Sequence, residues 1–262
     1  TKGIYQVLSD GKFPEPFEMK HLSISPLFLL LLSVNLFAAD SDRDTLPDGW
    51  EVDNGKDPLV ADYQVTSLGH HVCALDDNGV QCWGNNDYGQ TDDVPTLSNP
   101  VQVSAGALHN CALDDNGVQC WGYDEYGETD VPALSNPVLV SAGGFHTCAL
   151  DDNGVQCWGR NSSGGNDVPV LSNPVLVSAG GTHTCALDSN GIQCWGNNDD
   201  GQTDVPTLSN PVLVSASASR HTCALDGNGI QCWGRNDDGQ TDVPTLSNPV
   251  QVSAGAFHTC AL

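Results

Sequence analysis

A fourteen-residue stretch, H-T-C-A-L-D-D-N-G-V-Q-C-W-G from His146 to Gly159, constrains the whole chain. It starts again, almost unchanged, at His71, His109, His183 and His221, and a sixth start at His258 stops at Leu262. The starts lie 37 or 38 residues apart. Self-similarity at such a period is the signature of a repeat architecture, in which each unit buries its apolar face only against its neighbours.

The unit reads as a β-hairpin. Thr147 to Leu150 lead into Asp151-Asp152-Asn153-Gly154, and Val155 to Trp158 lead out. Asp, Asn and Gly tolerate the positive φ angles of tight hairpin turns. A two-residue loop at Asp152-Asn153 pairs Leu150 with Val155, Ala149 with Gln156 and Cys148 with Cys157. A three-residue loop would put the two cysteines on opposite faces. The same C-x8-C spacing recurs at Cys73/Cys82, Cys111/Cys120, Cys185/Cys194 and Cys223/Cys232. Directly opposed cysteines are within disulfide reach when their pair is a non-hydrogen-bonded one. Two other readings stand beside it. Zinc sites usually bring cysteines closer together in sequence than C-x8-C does, and buried reduced thiols require a reducing compartment. The histidine that opens each unit could line a metal-binding ring, although a residue present in every unit more often serves packing.

The remainder of each unit adds one strand and two loops. In the third repeat Val138 and Val140 share one face and Leu139 takes the other, as in a short strand covered on both sides. The segment after Trp158 and the Val168-Pro169-Val170-Leu171-Ser172-Asn173-Pro174 segment read as loops. Three short strands per repeat, with no helical period, predict an all-β chain of three-stranded units packed around an axis, a β-propeller.

The N-terminal quarter is different. Residues 1–18 carry no motif, and the chain's single methionine is Met19, followed by Lys20 and a Leu-rich run ending at Ala38-Ala39. A basic start, a short apolar run and a small-residue end read as a secretory signal over 19–39, with 1–18 an over-translated upstream segment. Phe37 stands where cleavage prefers a small residue. The run is short for a membrane span, so no stable membrane anchor is expected. Export to an oxidising periplasmic or extracellular space favours the disulfide reading of the cysteines. Residues 40–62 form an acidic linker. Asp40, Asp42, Asp44, Asp48 and Glu51 occupy positions 1, 3, 5, 9 and 12 of a twelve-residue loop, the spacing that wraps one calcium ion, with the Leu46 carbonyl at position 7. Thr45 stands where such loops carry Gly, and the other reading of the segment is a linker capping a short helix from Pro47.

Charge narrows the partners. The chain has 33 acidic and 8 basic residues, a net −25, and beyond Lys56 its only Lys or Arg side chains are Arg160, Arg220 and Arg235. Such a surface repels phosphate backbones, so neither DNA nor RNA is expected as a partner.

From residue 63 onward the motifs Gly-x-His-x-Cys-Ala-Leu, Cys-Trp-Gly-x-Asn-x-x-Gly-Gln-Thr and Val-Ser-Ala-Gly resemble regulator-of-chromosome-condensation repeats, which build seven-bladed β-propellers. The resemblance spans 63–262. The compact Gly-Gln-Thr-Asp-Val-Pro at 201–206 and 239–244 is most similar to bacterial secreted members, the beta-lactamase inhibitor protein II among them, whose blades have three strands. The acidic loop resembles thrombospondin type 3 and dockerin-like calcium loops. The resemblance implies five full blades and a sixth cut off inside its hairpin, with Cys260 lacking a partner, as in a fragment of a seven-bladed ring. The exchange-factor and chromatin roles of the family's namesake do not fit an exported acidic chain.

Two irregularities fall in loops: Asp93 is one extra residue, and Ser217-Ala218-Ser219-Arg220 replaces a three-residue segment. No nucleophile–base pair, phosphate loop or carboxylate pair stands apart from the repeat, whereas catalysis needs a residue unlike its siblings. What varies is the segment after each Trp-Gly and the residue before each histidine (Leu108, Phe145, Thr182, Arg220, Phe257). Tyr88, Tyr123 and Tyr126, with Arg160, are therefore expected to form a protein-binding patch on a non-enzymatic module. Alternatives are an enzyme inhibitor and the non-catalytic part of a larger carbohydrate-active enzyme.

Overall fold

The computed structural model describes residues 64–262 with the exception of Asp77. The segments 1–18, 19–39 and 40–62, and with them Asp40, Asp42, Asp44, Asp48 and Glu51, lie outside the described residues.

Each repeat folds into one antiparallel meander of three strands. The first blade is β1 (Gln64–Thr66), β2 (His71–Asp76) and β3 (Gly79–Gly84). The second is β4 (Gln102–Ala105), β5 (His109–Asp114) and β6 (Gly117–Gly122), and the third β7 (Leu139–Ala142), β8 (His146–Asp151) and β9 (Gly154–Gly159). The fourth is β10 (Leu176–Ala179), β11 (His183–Asp188) and β12 (Gly191–Gly196), and the fifth β13 (Leu213–Ala216), β14 (His221–Asp226) and β15 (Gly229–Gly234). A two-stranded sheet of β16 (Val252–Ala254) and β17 (Thr259–Ala261) begins a sixth.

The hairpin register is the one the spacing requires: Leu150 pairs with Val155, Ala149 with Gln156 and Cys148 with Cys157. Every complete hairpin closes its own bridge: Cys73–Cys82, Cys111–Cys120, Cys148–Cys157, Cys185–Cys194 and Cys223–Cys232, with Cα atoms 4.0 to 4.1 Å apart. Cys260 is free and exposed. The two halves of a bridge differ in a way that the repeat pattern does not announce. Cys73, Cys111, Cys148, Cys185 and Cys223, on the middle strands, are fully buried. Cys82, Cys120, Cys157, Cys194 and Cys232, on the third strands, are only partly buried and pack against the core from its outer side. The third strand is the outer edge of its sheet, so nothing covers it as the first strand covers the middle one.

The turn also differs from expectation. Neither Asp152 nor Asn153 adopts a positive φ; Gly154, at φ 102°, supplies it from the first strand position instead. A type I turn closed by a glycine in this way needs no left-handed Asp or Asn.

The aspartate that precedes the turn has a second task. The Asp151 carboxylate accepts hydrogen bonds from the Ser135 N–H, the Asn153 N–H and the Gln156 amide, each at 2.8 Å. It ties the preceding Leu-Ser-Asn-Pro loop to the hairpin. Burial alone would raise its pKa, but these donors outweigh it and hold the carboxyl below its ordinary value. In that loop Asn136 takes φ 50°, as its counterparts Asn99, Asn173, Asn210 and Asn248 do at 48° to 54°. Asn is the side chain after glycine that tolerates this region best.

The first strands line one another around the axis, while the third strands make their main contacts inside their own blade. An inner strand is an edge, and its unpaired N–H groups must be satisfied. Each blade caps the next: Ser104 Oγ accepts from Ala142 N–H at 2.9 Å, Ser141 from Ala179 at 2.9 Å, Ser178 from Ala216 at 3.0 Å and Ser215 from Ala254 at 2.9 Å. Between blades two and three the core joins Cys111, Leu113 and Val118 to Val140, Ala142, Ala149 and Trp158. Each such tryptophan also bonds backward, Trp158 Nε1–H donating to the Glu128 carbonyl at 3.0 Å.

One packing expectation is corrected, and one repeated residue packs unequally. The inner strand starts at Leu139, and Val138, one residue earlier, is 45% exposed, so its start is not covered on both sides. Trp121, Trp158 and Trp233 are buried and Trp195 half-buried, but Trp83 is 52% exposed. The buried tryptophans lie on the loop of the preceding blade, and no preceding blade exists among the described residues for Trp83.

Candidate functional site

Two sets of residues compete for a functional reading, the repeated histidines and the variable loops. His109 Nε2 lies 2.8 Å from Thr147 Oγ1 on the next blade, and the Thr147 hydroxyl donates to the Glu128 carbonyl at 2.9 Å. The hydroxyl's one proton is committed there, so the imidazole must be the donor. The relay recurs from His146 to Thr184 at 2.8 Å, His183 to Thr222 at 2.9 Å and His221 to Thr259 at 3.2 Å, and His71 donates to Asn110 Oδ1 at 2.6 Å. The Nδ1 atoms of His71, His109, His183 and His221 are buried with no hydrogen-bond partner among the described residues. Burial, reinforced by the neighbouring histidines, pushes His109 and His183 down to about 3, and burial pushes His146 and His221 to about 4. These rings are neutral latches between blades. A buried imidazole already donating from Nε2 is badly placed to exchange protons near neutral pH. Each joint holds its histidine separately, and among the described residues no three His, Cys, Asp or Glu side chains gather as metal ligands.

The variable residues converge because of the hairpin register. His146 pairs with Gly159, so the residues just outside, Phe145 and Arg160, face each other, with Arg160 N–H donating to the Phe145 carbonyl at 2.8 Å. The same bond joins Tyr123 to Leu108, Asn197 to Thr182 and Arg235 to Arg220. Both variable positions of every repeat therefore lie on one rim of the molecule.

On that rim the first three blades build a continuous aromatic patch. The rings of Tyr88 and Tyr123 meet edge to face at 4.9 Å, and Tyr123 reaches Tyr126 and Phe145 at 6.3 Å each. The Arg160 guanidinium lies 5.1 Å from the Tyr126 ring centre and 5.4 Å from that of Phe145. Tyr88 and Tyr126 are 48% and 45% exposed. The Tyr123 hydroxyl donates to the Glu125 carboxylate, which, with burial and the nearby acids adding to it, pushes the phenol far above its ordinary range. Arg220 and Arg235 are engaged by Asp200 at 2.9 Å and Asp237 at 2.8 Å, whereas Arg160 has no carboxylate partner among the described residues. Tyr88, Tyr123, Tyr126 and Arg160 thus stand together, as their variability among the repeats suggested. Phe145 joins them, and the register extended by one residue past His146 was the signal that could have placed it there.

This architecture, antiparallel three-stranded blades meeting through their inner strands, is that of a β-propeller. The chain belongs to the regulator of chromosome condensation (RCC1) repeat family, which it matches over residues 69–90, 101–128, 138–164, 175–202 and 212–240. No curated protein matches it in sequence. Among solved structures it is similar to the entire ectodomain of the receptor kinase CR4 from Physcomitrella patens, with 28% identity and a TM-score of 0.66, over 80% of this chain and 60% of that one. It spans less than two thirds of that ectodomain. It shares its fold with the CRINKLY WD40 ectodomain of the Arabidopsis thaliana receptor kinase ACR4, at 24% identity and a TM-score of 0.62, over 76% of this chain and 74% of that one. It also shares its fold with Prp20p from Saccharomyces cerevisiae, a protein described with its binding to Gsp1p and histones, at 20% identity and a TM-score of 0.64, over 76% and 69%.

Proposed function

We propose that this chain is a secreted, non-enzymatic propeller module that captures a protein partner on the rim of its first three blades. The observation that carries the reading is the fusion of exposed Tyr88 and Tyr126 with half-buried Tyr123 and Phe145 into one patch around Arg160. Tyr and Arg on a rigid frame are the residues that dominate protein interfaces, because they offer large contact area at low entropy cost. Export is supported by the five intra-blade disulfides and by the likeness to a receptor ectodomain. A protein is favoured over a nucleic acid by the net charge of −25. Binding of Gsp1p and histones by Prp20p illustrates the use of such propellers as protein-interaction frames.

The test is a capture experiment from the native environment with the full chain. Tyr123→Ala combined with Tyr126→Ala should lose the partner and leave the thermal melt in place. A variant that keeps the partner, or one whose melt collapses, would overturn the reading.

A further inference from the structure

The third blade departs from its siblings at one buried position. In the other blades the loop after the tryptophan turns a long polar side chain inward: Gln90, Glu128, Gln202 and Gln240, all buried. Each accepts the backbone N–H two residues earlier, from Tyr88, Tyr126, Asp200 and Asp238, at 2.8 to 3.0 Å. In the third blade that position is Gly165, and the corresponding Ser163 N–H has no acceptor among the described residues. The room left by the missing side chain is a slot walled by Phe145, Arg160, Ser162, Ser163 and Thr182, with His146 at its floor. His146 Nε2 lies 3.6 Å from where a Gly165 Cβ would stand, so the opening reaches the latch itself.

The polarity of the slot is inverted as well. In blades one and four the glutamine amide donates to Asn85 Oδ1 at 2.8 Å and Asn197 Oδ1 at 2.5 Å. In blade five Arg235 replaces that asparagine; it has no acceptor atom, and Gln240 Nε2 is left without a partner among the described residues. Blade three carries the same replacement, Arg160. The slot is therefore bounded by the Ser163 N–H and the Arg160 guanidinium, which only donate, and by the Ser162, Ser163 and Thr182 hydroxyls, which turn either way; the one carbonyl beside Gly165, that of Thr182, is already taken by the Asn197 N–H at 3.0 Å. No acidic residue lines it. The group that matches two fixed donors is one that only accepts, a carboxylate. Glu128 is the internal precedent: in blade two a carboxylate takes this place, its Oε2 accepting the Tyr126 N–H at 2.8 Å.

We propose that the slot receives the carboxylate of an Asp or Glu side chain of the protein partner, seated where the other blades seat their own Gln or Glu. This rests on the reading of the adjoining patch as the binding face and adds the chemistry of the residue at its centre. Arg160 is what admits an anion to a chain of net charge −25.

The experiment uses the full chain and two probes, propionate and propionamide, the side chains of Glu and Gln without their backbones. The Ser163 amide is followed by proton–nitrogen NMR. Propionate should move it downfield and saturably, with propionamide binding about fivefold more weakly, since hydrogen bonds to a charged acceptor are the stronger kind. Gly165→Gln restores the sibling side chain. Its Cβ would meet nothing nearer than 3.6 Å and its backbone does not require glycine, so the variant should fold and lose the shift. Arg160→Asn should reverse the preference toward propionamide. Equal or tighter binding of propionamide by the native chain, a shift that survives Gly165→Gln, or no shift with either probe overturns the proposal. The two readings fail separately. If Gly165→Gln keeps the partner that the Tyr123/Tyr126 variant loses, the slot is refuted and the patch stands. If the tyrosine variant keeps the partner, the patch reading falls, whatever propionate does.

Discussion

The joints between blades and the rim of the first three blades are built from the same repeat and obey opposite rules. At each joint from the second blade to the sixth a histidine donates to the next blade's threonine, the threonine to a loop carbonyl, and the inner strand's N–H groups find the serine of the blade before. These are buried polar groups, and a copy that changed one would strand its partner without water, a cost of about 1–3 kcal/mol. At the rim, one residue beyond His146, the backbone bond from Arg160 to Phe145 is kept and the side chains are free to differ. Identity between repeats therefore marks an obligation to a neighbouring blade. Difference on the rim marks a position from which that obligation has been lifted, whereas a change at a joint, Asn110 in place of the threonine, keeps the bond to the neighbouring histidine.

The comparison can be broken most forcefully through the disulfides, which belong to the repeated interior and not to the rim. Each closes a short loop and is worth about 2–3 kcal/mol in the chain-entropy account, so reducing all of them removes on the order of 10 kcal/mol, the scale of a whole domain's stability. A melt under reductant should fall steeply or vanish. Non-reducing peptide mapping should return five intra-blade links, each joining a middle strand to its third strand (Cys73 to Cys82, Cys111 to Cys120 and so on), with Cys260 free. A melt indifferent to reductant would mean that the links add little to the interior.

Acid is the next lever. The latch histidines have folded pKa values of about 3 to 4, below the ordinary 6.5 that they regain on unfolding. Between those values the unfolded chain binds more protons. Their stabilisation is therefore complete above pH 6.5 and is lost as the pH falls toward 4, at up to about 1.4 kcal/mol per pH unit for each histidine. Asp151 and Asp188, held below the usual carboxylate range, add a loss in the same direction at lower pH, whereas Glu128, pushed up chiefly by burial, is relieved there. Melts at pH 7 and pH 4.5 should differ widely. A melt flat across that range would remove the latch from the account.

The smallest effect sharpens the contrast most. Thr147→Val leaves the buried His109 Nε2–H without an acceptor, while the Glu128 carbonyl keeps only the Trp158 indole, and should cost about 1–3 kcal/mol, most of it recovered by Thr147→Ser. Tyr126→Ala, on the exposed patch, should stay within about 0.5 kcal/mol. Equal melts for Thr147→Val and Tyr126→Ala would erase the distinction between joint and rim.

Much of this was legible in the residues. The C-x8-C spacing admits one two-residue turn, that turn admits one register, and the register opposes the cysteines. Carried three residues beyond Cys148 and Cys157, the same register opposes Phe145 and Arg160, so the rim was also within reach. The slot at Gly165 was not. A glycine in a variable loop reads as turn chemistry, and only the packed siblings reveal that a buried glutamine is missing there. The exposure of Trp83 and the positive φ of Asn136 were equally hidden, because one depends on a neighbouring blade and the other on how a loop is held by Asp151 across the hairpin.

The amino-acid sequence by itself determined the repeat, the hairpin, its register and its disulfides, since each follows from contacts closed within a few residues. The tertiary structure decided which histidine meets which threonine 38 or 39 residues away, which side chains merge into one patch across three blades, and where a slot is left open. Those outcomes depend on the angle at which one blade packs on the next. That angle is set by the summed packing of apolar side chains between blades, and no short stretch of the chain encodes it.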